Sequence, residues 1–140
     1  MSGLKTISDM TEIAFEWPLM AQSNISGFYL YRSNPNANNQ LNAIAKLEDK
    51  FITHYVDSNL APSTEYIYEL RTYDNQGNIS AEGERISVTT MPLIESVSFI
   101  QALYGLPNKI KVLWRPHPDL RVVSYILEKS ALSSNNWHEV

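Results

Sequence analysis

Part of this chain occurs twice. Ile13-Ala14-Phe15-Glu16-Trp17 aligns with Ile110-Lys111-Val112-Leu113-Trp114, and Gly27-Phe28-Tyr29-Leu30-Tyr31-Arg32-Ser33 aligns with Ser124-Tyr125-Ile126-Leu127-Glu128-Lys129-Ser130, both 97 residues further on. Two segments that keep one offset across an intervening loop constrain the fold strongly, because both copies must satisfy one structure. A period of this size is a small domain and not a solenoid unit, whose repeats run to about 20–45 residues. The 140 residues therefore read as a complete first module, residues 1–91, and the N-terminal half of a second, residues 92–140.

Each repeated segment alternates with the period of a strand. Ile13, Phe15 and Trp17 fall on one face, with Glu12, Ala14 and Glu16 on the other. In the second copy Ile110, Val112 and Trp114 take the inward places, and Phe28 and Leu30 correspond to Tyr125 and Leu127. Helical spacing is absent nearly everywhere, and turn residues such as Asn34-Pro35-Asn36 and Asn75-Gln76-Gly77-Asn78 separate the alternating runs. Strands are predicted near 4–9, 12–17, 27–33, 41–47, 52–57, 65–74 and 84–90. Seven short strands with turns between them describe an all-β sandwich of the immunoglobulin or fibronectin kind.

The run Leu60-Ala61-Pro62-Ser63-Thr64-Glu65-Tyr66 opens a strand in which Tyr66, Tyr68, Leu70 and Thr72 share a face. A tyrosine at such a corner buries its ring while its hydroxyl bonds backbone a few residues upstream. There is no cysteine, hence no disulfide and no thiolate metal site, and Trp17 must anchor the core. Its burial removes about 200 Å² from water, worth roughly 5 kcal/mol at most. Tyr29, Tyr31, Ile67 and Tyr73 are expected on the outer face as an aromatic surface, and the acidic residues mostly on outward faces or in turns.

With 44% hydrophobic and 19% charged residues the chain reads as globular. A net charge of −4, with no basic block, argues against nucleic acid as a partner. No stretch approaches the roughly 20 apolar residues that span a bilayer. His54, His117 and His138 lack the spacing of a metal pair. No phosphate loop or nucleophile elbow appears. The reading is therefore a binding and spacing module, with no enzyme activity, no cofactor and no metal.

Trp17 at the end of the second strand, Gly-Phe-Tyr-Leu-Tyr in the third, the Leu60-x-Pro-x-Thr-x-Tyr66 run and Val88-Thr89-Thr90 followed by Pro92 together resemble fibronectin type III modules. The resemblance covers residues 3–91 and half a module in 92–140. After the strand at 124–130 the sequence runs through Ala131 to Val140, and the three strands that would close a second sandwich have no counterpart. Half a sandwich exposes its inner face. The expectation is a fragment of a longer chain, or strand exchange with another copy at the truncated second module.

The most distinctive short segment is Trp114-Arg115-Pro116-His117-Pro118-Asp119-Leu120-Arg121-Val122. Two prolines stiffen it and lower the entropy lost on docking. Arg115, His117 and Arg121 offer donors, and Arg is enriched at interface hot spots. The structural alternative is that Trp114 is core, like its repeat partner Trp17, and that the prolines only protect a loop. The segment is similar to the stretch proposed to bind fibronectin in the FlpA-type lipoprotein adhesins of Campylobacter, tandem type III proteins of the outer membrane. That resemblance implies a virulence-associated surface adhesin that binds host fibronectin through residues 114–122 and mediates cell adhesion. It also implies an outer-membrane location, with membrane contact only through a lipid anchor outside this sequence. The competing readings are a structural spacer, or an accessory module of an exported enzyme, with no ligand of its own.

Overall fold

The computed structural model describes residues 3–140. It divides into one unit ending at Leu93 and a second spanning Ile94–Val140. In the first unit seven strands form two antiparallel sheets: β1 (Lys5–Ser8), β2 (Ile13–Glu16), β3 (Ile25–Asn34), β4 (Gln40–Leu47), β5 (His54–Asp57), β6 (Glu65–Asp74) and β7 (Glu84–Thr89). One sheet has the order β1-β2-β5 and the other β4-β3-β6-β7. This is the all-β, fibronectin type III-like sandwich that the alternating pattern predicts.

The core fills the space between the sheets because strand alternation places every second side chain there. From the first sheet come Ile13, Phe15 and Trp17; from the second come Phe28, Leu30, Tyr66, Tyr68, Leu70 and Val88, all buried. Phe15 meets Tyr68 at 4.6 Å and Trp17 meets Phe28 at 5.5 Å, both edge to face. The corner tyrosine behaves as its position predicts: the Ala61 N–H donates to the Tyr66 hydroxyl at 3.0 Å. Thr90 closes the same corner, its hydroxyl donating to the Ala61 carbonyl at 2.6 Å.

Two acidic residues are buried where the sequence predicts exposed ones. Asp57, at the end of β5, is buried in the core; its carboxylate accepts from Arg32 Nη1 at 2.8 and 2.9 Å and from the Tyr68 hydroxyl at 2.8 Å. That links the two sheets by a polar clamp. Glu69 does lie on the outer face of the four-stranded sheet but is only 3% exposed. Arg71 Nε donates to it at 2.5 Å and Arg85 Nη2 at 2.6 Å, so the carboxylate sits beneath its two arginine partners.

The second unit holds a hairpin, β8 (Ile100–Leu106) and β9 (Lys109–Trp114), and a short pair, β10 (Glu128–Lys129) and β11 (His138–Glu139). The strand predicted over 124–130 is thus reduced to two residues. A ladder needs neighbours on its edges, and β3 has β4 on one side and β6 on the other, whereas among the described residues β10 pairs with β11 alone. The inward places of the second copy are corrected for the same reason. Ile110, Val112 and Trp114 share a face of β9, yet none is buried, and Ile110 is 66% exposed.

Candidate functional site

Strand β9 delivers Trp114, and from Arg115 to Leu127 the chain belongs to no strand. Pro116 and Pro118 carry no N–H to continue a ladder. Short-range bonds hold the segment instead. The His117 N–H donates to the Tyr125 hydroxyl at 2.6 Å, and the Asp119 N–H donates to His117 Nδ1 at 3.0 Å. The Val122 N–H donates to the Asp119 carbonyl at 3.1 Å and closes a tight turn with Leu120 and Arg121 at its tip.

Asp119 organises that turn. Its carboxylate accepts the Arg121 backbone N–H at 2.9 Å, Arg121 Nε at 3.1 Å and Arg121 Nη2 at 2.7 Å. Arg121's side-chain bond and then its backbone bond push the Asp119 carboxyl down to about 2. A depressed carboxyl contributes its pairing fully above the ordinary value of about 3.9 and loses it as pH falls through the folded value. The Asp119 side-chain carboxyl resonance is therefore expected to hold steady down to about pH 4 and to titrate only toward pH 2. A midpoint near pH 4 in an NMR titration would show the fork to be absent in solution.

Among the nine residues singled out by the sequence, Arg115, Pro116, Pro118 and Leu120 are exposed, while His117, Asp119, Arg121 and Val122 are half-buried. Leu120 is 98% exposed, an apolar tip beside the Arg121 fork. The Arg115 guanidinium lies 5.0 Å above the Phe99 ring, the stacked arrangement that suits arginine. Trp114 is 39% exposed and packs on Tyr125 at 5.7 Å and 60°, repeating the pair of Trp17 and Phe28 at 5.5 Å and 60°. The repeat register carries Phe28 onto Tyr125, so Tyr125 was legible as a support of the segment. Phe99 was not, because nothing in its spacing relates it to Arg115.

The outer aromatic surface of the first unit is smaller than the sequence predicts. Tyr29 and Tyr31 are half-buried neighbours, but Tyr73 is buried, with Tyr29 edge-on at 5.4 Å and the Lys46 ammonium 5.3 Å above its ring. Arg71 covers Tyr31 at 5.3 Å. Among the described residues no three of His, Asp and Glu are grouped to hold a metal ion.

No protein-family model matches the chain, nor does any curated protein sequence. Solved structures do resemble it. A fibronectin type III domain of human fibronectin type III domain containing protein 3 matches over 65% of this chain and 86% of its own, at 20% identity and a TM-score of 0.51. A computationally redesigned β-sandwich protein matches over 66% of this chain and 95% of its own, at 21% identity and a TM-score of 0.53. A β-1,2-glucanase from Parabacteroides distasonis matches over 65% of this chain but only 12% of its own, at 20% identity and a TM-score of 0.53. At such identities the likeness establishes the fold, which hosts many functions.

Proposed function

We propose that the chain is a binding and spacing module of a bacterial surface adhesin, which holds host fibronectin through residues 114–122 and so attaches the cell to its host. The full protein is placed at the outer membrane by a lipid anchor outside this sequence, and the module works without cofactor or catalysis. The observation that carries the reading is the turn at Asp119–Val122: a nearly fully exposed Leu120 is held beside Arg121 by bonds that pre-form the loop. An apolar tip beside an arginine on a proline-stiffened loop is a hot-spot composition that loses little entropy on docking. The resemblance of Trp114-Arg115-Pro116-His117-Pro118-Asp119-Leu120-Arg121-Val122 to the adhesin stretch supplies the ligand.

The test is surface plasmon resonance against immobilised fibronectin, with the chain and its Arg115→Ala/His117→Ala/Arg121→Ala variant, after circular dichroism shows one fold for both. Saturable binding is expected, weakened about tenfold or more in the variant. Equal binding by both would move the contact elsewhere. No binding by either favours the second reading, an accessory or spacer module; for that reading the support is the glucanase, where a similar domain makes up 12% of an enzyme chain.

A further inference from the structure

Two connections of the first sandwich frame an opening in its wall. The one from β2 to β3 turns at its end, the Ile25 N–H donating to the Gln22 carbonyl at 3.4 Å. The one from β6 to β7 folds back along its own strand. The Ser80 N–H donates to the Thr72 carbonyl at 2.9 Å, and the Thr72 N–H donates to Ser80 Oγ at 3.3 Å. The opening between them holds about 380 Å³, at the small end of the roughly 300–1,000 Å³ of small-ligand sites. Its floor is apolar: Ile25 and Leu70 are buried, and Met20 packs half-buried on the core. Its rim is polar, with Gln22 and Glu82 exposed and Ser80 half-buried.

The charge at this opening is uncompensated. Asp57 and Glu69 are each held by arginine, but neither Glu82 nor Glu84 has an ion pair among the described residues. Glu84 follows the lining Gly83 and stands opposite Leu70 in the ladder, which puts a second carboxylate beside the opening. One of its oxygens accepts the Leu4 N–H at 3.1 Å; the other is buried with no hydrogen-bond partner. The chain's net charge of −4 adds a longer-range attraction for cations. A divalent metal is a poor occupant, because it takes six or more oxygen ligands and Glu82 is the one carboxylate among the lining residues.

We propose that the opening binds an alkylammonium group, either the side chain of a lysine on a partner polypeptide or a free amine of the same shape. An ammonium has three donors and no acceptor. The Glu82 carboxylate, the Gln22 amide oxygen and the remaining lone pair of Ser80 Oγ offer three acceptors. The methylene stem rests on Met20, Ile25 and Leu70, as long cationic side chains bury their stems while the charged head stays near water. An anion would meet the unpaired carboxylates, and a wholly apolar ligand would leave the rim acceptors without partners. Charge and stem together therefore select the group. The opening belongs to the first unit and shares no residue with 114–122, so the proposal goes beyond fibronectin binding and does not depend on it.

The full chain, isotope-labelled, is titrated with three probes and followed by NMR. They are Nα-acetyl-lysine N-methylamide, the matching norleucine compound, which keeps the stem without the ammonium, and the free diamine putrescine. Saturable one-to-one shifts are expected from the lysine compound at the amides of Gln22, Ser80 and Glu82, with the millimolar affinity that so few contact atoms allow. The norleucine compound should bind at least about tenfold more weakly. Glu82→Gln should weaken the lysine compound about tenfold or more. Glu82 is exposed, so the fold survives the change, and unaltered resonances elsewhere certify it. Glu12→Gln, at an exposed glutamate outside the opening, should leave the affinity unchanged. Tighter binding of the lysine compound than of putrescine assigns the site to a polypeptide side chain, and the reverse order assigns it to a free amine. Equal affinity for the norleucine compound, undiminished binding to the Glu82→Gln variant, or the absence of saturable shifts at these residues would each overturn the proposal.

Discussion

Replacing Asp57 with alanine is expected to destabilise the first module by about 3 kcal/mol, the cost of leaving the buried Tyr68 hydroxyl without its acceptor and a cavity beside it. The carboxylate is the shared acceptor for Arg32 and Tyr68, with bonds of 2.8 to 2.9 Å. The Tyr68 ring is fully buried, and burial, then its bond to Asp57, raises the hydroxyl far above the usual phenol range. It therefore remains a proton donor at any pH at which the protein is handled, and without Asp57 it has lost its acceptor in the core. Arg32, with a side chain 30% exposed, can reach water, so most of the loss falls on the tyrosine and on the cavity. Urea unfolding followed on amide resonances of β3 and β6 measures the change. A corresponding fall of more than about 12 °C in the thermal midpoint should accompany it. A loss below about 1 kcal/mol would show that water enters and replaces the carboxylate. Adding Arg32→Leu and Tyr68→Phe should recover part of the loss, because removing all the polar partners leaves no buried group unsatisfied.

This clamp marks the boundary of what the sequence reveals. Alternation identified the inward faces of β2, β3 and β6, because there the apolar residues repeat at every second place. In β5 the pattern is reversed: Val56 is exposed while Asp57 is buried. Period alone assigns Tyr55 and Asp57 to one face but cannot say that the face is the core. Only the pairing of β5 with β2, which sets Asp57 opposite the fully buried Ile13, decides it. Glu69 fails to read for a different reason. Its face is legible as outward, but its burial comes from Arg71, two places along the strand, and from Arg85, sixteen residues away on β7, and long-range pairing leaves no local trace. The corner tyrosine was legible because its partner, Ala61, is five residues upstream.

The candidate site divides in the same way. The proline-bounded segment and its donors stand in the sequence, and so does the Trp114–Tyr125 pair once the repeat is aligned. The Asp119–Arg121 fork is a contact between residues two apart, yet its existence depends on a turn that neither residue type dictates. The partial burial of Trp114 was not legible from Trp17. The two tryptophans share a register and a neighbour, but Trp17 belongs to one buried core with Tyr68 and Leu70 of β6, and the second unit has no such strand among the described residues.

Gly27 is where a single added methyl group is expected to do most harm outside the clamp. A Cβ there would lie 2.1 Å from the Leu47 carbonyl oxygen and 2.7 Å from the Tyr73 hydroxyl. The first neighbour is backbone and cannot rotate away, so Gly27→Ala must push β4 off β3 at the very end of their ladder, where Phe28 pairs with Leu47. The second contact would lift the Tyr73 ring out from beside Tyr29 and Lys46. Forced separation of packed groups costs about 1–3 kcal/mol and more when backbone must move, so about 3 kcal/mol is expected. Gly77 offers the comparison. Its φ of +84° strains any other residue, but a Cβ there meets nothing within 4 Å, and Gly77→Ala should cost only about 1 kcal/mol. Urea midpoints of the two variants separate the causes: the larger loss at Gly27 follows from steric contact, the smaller at Gly77 from backbone conformation. Equal losses would mean that β4 yields without resistance. What demands glycine at 27 is the tyrosine of the neighbouring strand and the carbonyl of the other, not the strand that carries it.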